Sequence, residues 1–301
     1  MRRCAKCEKK AFVFLLQHRL SLCKEHYIEW YIQRVESTIR EFRMFGKKDR
    51  VLVAVSGGKD SLSLWDALLQ LGYNADGLYI NLGIGEYSQK SQALCERFAS
   101  TRSAKLYTVN LSQEIATIPE IKNIENRPAC SFCGQLKRYY MNYYAKKLGY
   151  SVIATGHNLD DESATLLSNL LNWQVEYLAR QFPVLEEGKG FVRKVKPLCK
   201  FTEKENALYA FARGIEYIEE ECPFAEGASS IEYKTLLSKV EEGSPGTKLR
   251  FYTGFLKRLR PLLTEKKVEL RPCKVCGEPT SAEVCSVCRL RERLSLRALS
   301  S

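Results

Sequence analysis

Several things are scarce in this sequence, and each scarcity narrows what the chain can be. The composition, 45% apolar and 27% charged, suggests neither a membrane span nor a disordered chain. The apolar stretch near the start, Ala11 to Leu16, is too short for a secretory leader and has no cleavage site behind it. The cytoplasm is therefore the expected compartment, with no membrane partner. No repeat at solenoid period and no low-complexity tract is present. The length, 301 residues, suits one large core with small appendages. Also missing is the G-x-x-x-x-G-K-[ST] loop of enzymes that release the terminal phosphate of a nucleotide.

Cysteine, by contrast, is plentiful. Twelve are present, and a reducing compartment disfavours disulfides, so metal binding is the better use for them. Ten belong to three sets, while Cys95 and Cys199 stand alone and read as small buried hydrophobes. Cys4-x-x-Cys7 followed by Cys23-x-x-His26 offers four ligands in two pairs, the pattern of a tetrahedral zinc site. Cys273-x-x-Cys276 and Cys285-x-x-Cys288 offer a second zinc site, a four-thiolate ribbon whose turns suit Gly277 and Pro279. Four fixed donors leave no open position, so both sites are expected to be structural. His18 has no partner pattern and reads as an ordinary loop or surface residue.

The net charge of +12 is unevenly spread. Residues 1–50 hold 13 Lys/Arg against 6 Asp/Glu and residues 247–301 hold 13 against 5, so the ends carry +7 and +8 and the middle −3. Two basic, cysteine-bearing ends around a near-neutral middle suggest a catalytic domain flanked by modules that bind a polyanion such as RNA. The expected division is a zinc finger at 1–30, a catalytic domain at 31–262 and a zinc ribbon at 263–301.

From Arg50 the pattern alternates strand and helix, which predicts a doubly wound α/β fold with a parallel sheet covered on both faces. Strands are expected at Val51–Val55, Gly77–Ile80, Lys105–Val109 and Ser151–Thr155. Helices are expected at Phe201–Arg213, Ile231–Val240 and Lys248–Leu259, with a mobile loop at 226–230. Right-handed crossovers place the loops after the strands at one sheet edge, where the active site should lie. Ser56-Gly57-Gly58-Lys59-Asp60-Ser61 joins the first strand to a helix. Backbone N–H groups, a helix N-terminus, two glycines, a lysine and two hydroxyls there make a phosphate site.

This hexapeptide resembles the S-G-G-x-D-S signature of the PP-loop ATP pyrophosphatases at all six positions. The resemblance implies a PP-loop fold and cleavage of ATP between its alpha and beta phosphates, with AMP transferred to an oxygen. It also implies nucleotide contacts from Ala54, Ser56, Gly57, Gly58, Lys59, Asp60 and Ser61, and adenine near Ile80. Gly156-His157-Asn158-Leu159-Asp160-Asp161 is similar to the family's T-G-H-x-x-D-D element. Gly156 and His157 are then expected at the nucleotide. Asp161 is the preferred magnesium ligand, and Asp160 either shares that role or caps the following helix.

Three cysteines remain. Cys130-x-x-Cys133 and the distant Cys222 are one short of a structural zinc site, which leaves a redox pair or an iron–sulfur cluster with one iron free. A Cys-x-x-Cys inside a PP-loop domain, a later third cysteine and metal-binding modules at both ends together resemble the TtcA/TtuA family of tRNA 2-thiolation enzymes, most closely its TtuA members. By that resemblance Cys130, Cys133 and Cys222 hold a [4Fe-4S] cluster, and an iron-free persulfide scheme would use the same cysteines. It also implies tRNA as substrate, a T-loop ribothymidine as target in preference to a wobble uridine, a ubiquitin-like sulfur carrier with a C-terminal thiocarboxylate, and a homodimer. Lys137, four residues beyond Cys133, would stabilise charge during adenylation if the segment is helical. A PP-loop enzyme delivering nitrogen has no use for three core cysteines. A zinc-ribbon RNA-binding protein without catalysis has no use for a phosphate loop paired with Asp161.

Overall fold

The computed structural model describes residues 2–224, 229–266 and 269–298. In chain order these form β1 (Val13–Leu15), β2 (Leu20–Leu22), α1 (Lys24–Glu41), β3 (Arg50–Val55), α2 (Lys59–Gln70), β4 (Asn74–Asn81), α3 (Gly85–Thr101), β5 (Leu106–Asn110), α4 (Leu111–Glu114), α5 (Ile118–Lys122), α6 (Ala129–Lys147), β6 (Val152–Thr155), α7 (Leu159–Leu171) and α8 (Val175–Arg180). There follow β7 (Val184–Leu185), β8 (Arg193–Val195), α9 (Glu203–Arg213), α10 (Ser229–Gly243), α11 (Thr247–Gly254), a π-helical turn Phe255–Leu259, β9 (Arg271–Pro272), β10 (Pro279–Thr280) and α12 (Ser286–Ala298). Of the loop expected at 226–230, residues 226–228 lie outside the described residues, and Ser229 already opens α10.

The central sheet has the order β5-β4-β3-β6-β8-β7. All pairings are parallel except β7–β8, an antiparallel edge that the sequence pattern did not announce. Strand order reverses between β3 and β6, which opens a crevice at their carboxyl ends. Period-2 alternation on β3 sends Val51, Val53 and Val55 into one core and Leu52 into the other. The first core joins α1, α2 and α9 to the N-terminal module, and the second joins α6 to the C-terminal module. Each terminal module therefore braces one face of the same sheet. α1 crosses residue 30 without a break and buries Tyr27, Tyr31 and Val35 along one side.

His18 is not the plain surface residue expected. Its Nε2 lies 2.9 Å from the buried Glu205 carboxylate, which also accepts from Arg34 at 2.8 Å. Asp66, fully buried on α2, accepts from Arg102 at 2.8 Å, Arg213 at 2.8 Å and Tyr209 at 2.7 Å. Burial pushes that carboxyl up, but hydrogen bonds from Arg213, Arg102 and Tyr209 outweigh it and hold the group below its ordinary 3.8.

Removing one partner of such a buried network leaves the others unpaired, so Asp66→Ala should lower stability by about 3–5 kcal/mol in a denaturant titration. The depressed pKa fixes the sign of the pH dependence. The contribution is complete above pH 3.8 and is lost as pH falls below it, so wild type and variant should converge in stability toward strong acid.

Candidate functional site

The turn between β3 and α2 is shaped by glycine. Gly57 has φ +77°, and a Cβ there would meet the Ser91 carbonyl at 2.8 Å. Gly58 caps α2, and the Ser61 hydroxyl closes the turn by donating to the Gly58 carbonyl at 3.1 Å while accepting from the Ser56 N–H at 3.2 Å. The turn after β6 meets it directly, since a Cβ on Gly156 would lie 2.8 Å from the Ser61 nitrogen. Only glycine permits that approach.

A cavity of about 360 Å³ opens where these turns meet. Ala54, Leu78, Ile80, Leu82 and Met141 form its apolar wall, while Ser56, Asp60, Ser61, His157, Asp161 and Lys137 supply polar groups. Gly156 also lines it, whereas Gly57, Gly58 and Lys59 form the turn behind. Lys59 Nζ lies 3.4 Å from Asp60, and Asp60 accepts from Asn206 Nδ2 at 2.7 Å. Burial raises the Asp60 carboxyl, opposed by Lys59 and Asn206. Burial, Lys196 and Lys194 lower the His157 imidazole, which favours its neutral form, and its Nδ1 lies 2.8 Å from Thr155 Oγ1. Lys194 itself is pulled down to about 8 by burial and the charges of Lys196 and Arg138.

Asp161 is more than a free carboxylate in the cavity wall. It is the third residue of a capping box, exchanging hydrogen bonds of 3.0 Å with the N-cap Asn158. Burial raises its carboxyl, but Lys234 and His157 prevail and keep it below its ordinary value. Lys234, from α10, sits 2.5 Å from Asp161 and 2.7 Å from Glu203. Asp160 does not cap α7. It turns the other way, accepting from the Glu203 N–H at 2.8 Å and pairing with buried Lys248. Lys234 and Asn206 were not singled out from sequence, because only the packing of α9 and α10 over this edge brings them to it.

Cys130 and Cys133 lie one turn apart at the start of α6, and Cys222 lies on the segment that passes the phosphate turn, where Ile218 N–H donates to the Gly57 carbonyl at 2.9 Å. Burial raises the Cys133 thiol, Lys137 opposes, and Cys222 and Cys130 raise it further, so the three sulfurs share one electrostatic environment. Tyr87 lines the cavity, and after burial it is Cys222 and Cys133 that raise its phenol most, so these two thiols lie near the cavity wall. Cys130 is exposed and donates to the Phe224 carbonyl at 3.1 Å.

Among the described residues, two quartets bring all their ligand atoms within 4.8 Å of one another: Cys4, Cys7, Cys23 and His26, and Cys273, Cys276, Cys285 and Cys288. That closeness suits one tetrahedral ion each. The thiols of Cys4 and Cys273 are drawn down to about 6, where neighbouring backbone N–H groups overcome burial. The Cys130, Cys133 and Cys222 sulfurs are not so tightly gathered. Three thiolates set more widely fit a cluster better than a single ion.

Comparison with known proteins accords with this arrangement. Residues 29–224 match the PP-loop domain family, and residues 3–28 match the N-terminal LIM domain of the 2-thiouridine synthetase TtuA. The chain is 49% identical to the tRNA-5-methyluridine(54) 2-sulfurtransferase of Thermus thermophilus, over 98% of this chain and 92% of that protein. It is 41% identical to the protein of the same name from Pyrococcus horikoshii, over 99% and 97%. In structure it is similar to the U34-tRNA thiolase NcsA of Methanococcus maripaludis, solved with its [4Fe-4S] cluster. The TM-score is 0.82 at 26% identity, covering 98% of this chain and 97% of that one.

Gly57→Ala should strain the phosphate turn and cost about 1–3 kcal/mol of stability. The expected result is a lowered melting temperature and a smaller rise on adding ATP, both read in one thermal denaturation series.

Proposed function

The chain belongs to the PP-loop family of tRNA 2-thiolation enzymes, among relatives of TtuA type, and from that premise we propose that it replaces the 2-oxygen of the T-loop 5-methyluridine of tRNA with sulfur. It is an ATP-dependent sulfurtransferase. The choice of base follows the relatives of 41–49% identity, whose names specify methyluridine 54. What supports the reading is a cavity that holds the phosphate turn, Lys137 and Tyr87, with the Cys133 and Cys222 thiols near enough to Tyr87 to raise its phenol.

In this reading adenine rests against Ala54 and Ile80, and the phosphates lie over Ser56, Gly57, Gly58, Lys59, Asp60 and Ser61, with Gly156 and His157 closing the site. The base O2 attacks the alpha phosphorus and pyrophosphate leaves. Sulfur then attacks C2, the C2–O bond breaks, and AMP departs with the oxygen. Lys137 stabilises charge on the alpha phosphate as it is attacked. Asp161 would hold magnesium, a hard cation suited to its oxygens, in place of its present partner Lys234. Cys130, Cys133 and Cys222 would hold a [4Fe-4S] cluster, whose free iron supplies a place to keep sulfide from water. The terminal quartets would each hold a structural zinc.

We further propose a ubiquitin-like carrier with a C-terminal thiocarboxylate as sulfur source, a homodimer, and action in the cytoplasm. These rest on family membership. Among the described residues no helix is long and apolar enough to cross a membrane. We also propose the three-part division at 1–30, 31–262 and 263–301; the family matches cover residues 3–28 and 29–224.

Mass analysis of tRNA nucleosides after anaerobic incubation with ATP and sulfide tests the activity, and no 2-thio-5-methyluridine from an iron-loaded preparation would sink it. Full turnover by iron-free protein would instead eliminate the cluster scheme. Asp161→Asn should reduce tRNA-dependent release of AMP and pyrophosphate by about 100-fold or more while leaving the fold intact. Chelation should remove about two zinc per chain and lower the melting temperature, because metal binding here contributes to folding.

A further inference from the structure

The reaction site leaves one charged feature of the molecule unused. A second cleft, about 400 Å³, opens between the segment leading into α6 and the first turns of α12, lined by Glu125, Arg127, Ser286, Arg289 and Arg293. Every lining residue is charged or carries a hydroxyl, so the cleft lacks the apolar floor that a protein partner would bury. Glu125 organises it, accepting from Arg127 Nε at 3.0 Å and from Arg293 at 2.5 and 3.1 Å. Its side chain is 10% exposed, whereas those of Arg127 and Arg293 are 44% and 49% exposed. Both guanidiniums are thus anchored at one end and open at the other. Arg289, one turn before Arg293, is exposed and makes no ion pair among the described residues. Three guanidiniums against one carboxylate leave an excess of two positive charges at the N-terminal end of α12, the positive end of its dipole.

We propose that this cleft grips the sugar-phosphate backbone of the tRNA, with a phosphate lying among Arg127, Arg289 and Arg293. The planar fork of arginine matches phosphate geometry, and a polyanion is the ligand for which an open, wholly polar, cationic cleft is suited. Position favours the same ligand. Arg127 precedes Cys130 by three residues, so the two backbones lie within about 11 Å, and an RNA strand held here passes beside the cysteine trio. The proposal rests on tRNA being the substrate and adds where its backbone docks.

The test uses the full chain and Arg289, which takes no part in catalysis or in the Glu125 network. Binding of tRNA transcript, read by fluorescence anisotropy at stepped salt, should weaken about three- to tenfold in Arg289→Ala, with the slope of log affinity against log salt falling by about one. Arg289→Glu should weaken it further, and Arg289→Lys, which keeps the charge but not the fork, should restore only part of it. In thiolation assays the KM for tRNA should rise with kcat retained, and the ATP-induced melting shift should not change. Equal affinity and equal salt slope for Arg289→Glu and wild type would overturn the proposal. So would a raised KM for a thiocarboxylate carrier protein with none for tRNA, which would assign the cleft to the carrier. Salt-dependent tRNA binding lost in Arg289→Glu, from a chain that forms no thiolated nucleoside, would uphold the docking cleft and refute the thiolation reading.

Discussion

The backbone of Gly156 pressed against that of Ser61 is the constraint on which the rest of the structure depends. Two strand-to-helix turns, one after β3 and one after β6, meet there with no room for a side chain. Their contact sets the width of the crevice at the reversal of strand order, and it brings the N-terminal ends of α2 and α7 to one cavity. Positive partial charge from both helices converges there. The anionic character of the guest follows from backbone geometry before any lysine is considered.

The side chains around that contact are held from a distance. Tyr31 of α1 donates to Asn206 at 2.7 Å, and Asn206 donates to Asp60 at 2.7 Å, so the helix that grows out of the N-terminal cysteine module reaches the phosphate turn in two hydrogen bonds. Neighbouring Glu205 gathers His18, Arg34 and the capping box of α9 on one buried carboxylate. A buried charge with this many donors is costly to disturb. The first core is therefore specified by polar contacts as well as by its packed aromatic rings.

Much of this was legible in the sequence where the signal was local. The β3–turn–α2 unit declared itself through an apolar strand, a glycine pair and a helical repeat within twenty residues, and the two terminal quartets through ligand spacing alone. The antiparallel edge was not legible, because β7 and β8 are two and three residues long and Arg193 and Lys194 break any alternation. Long-range pairings were likewise hidden. His18 meets Glu205 across 187 residues, and Lys234 reaches Asp161 only once α10 has packed on α7. The Asn158–Asp161 capping box is written in its spacing, but the same acidic pair at Asp160 and Asp161 also fits a metal site.

Asn142 gives the far end of α6 a role of its own. Its amide donates to Glu278 of the C-terminal module at 2.6 Å and to the Gly190 carbonyl at 3.1 Å, its oxygen accepts from Val192 N–H at 2.9 Å, and Lys146 adds a second grip on Glu278 at 2.7 Å. The helix that begins with Cys130 and Cys133 thus ends inside the joint to the ribbon. Chimaeras that exchange this ribbon between relatives will have to carry Asn142, Lys146 and the 190–192 strand lead with it.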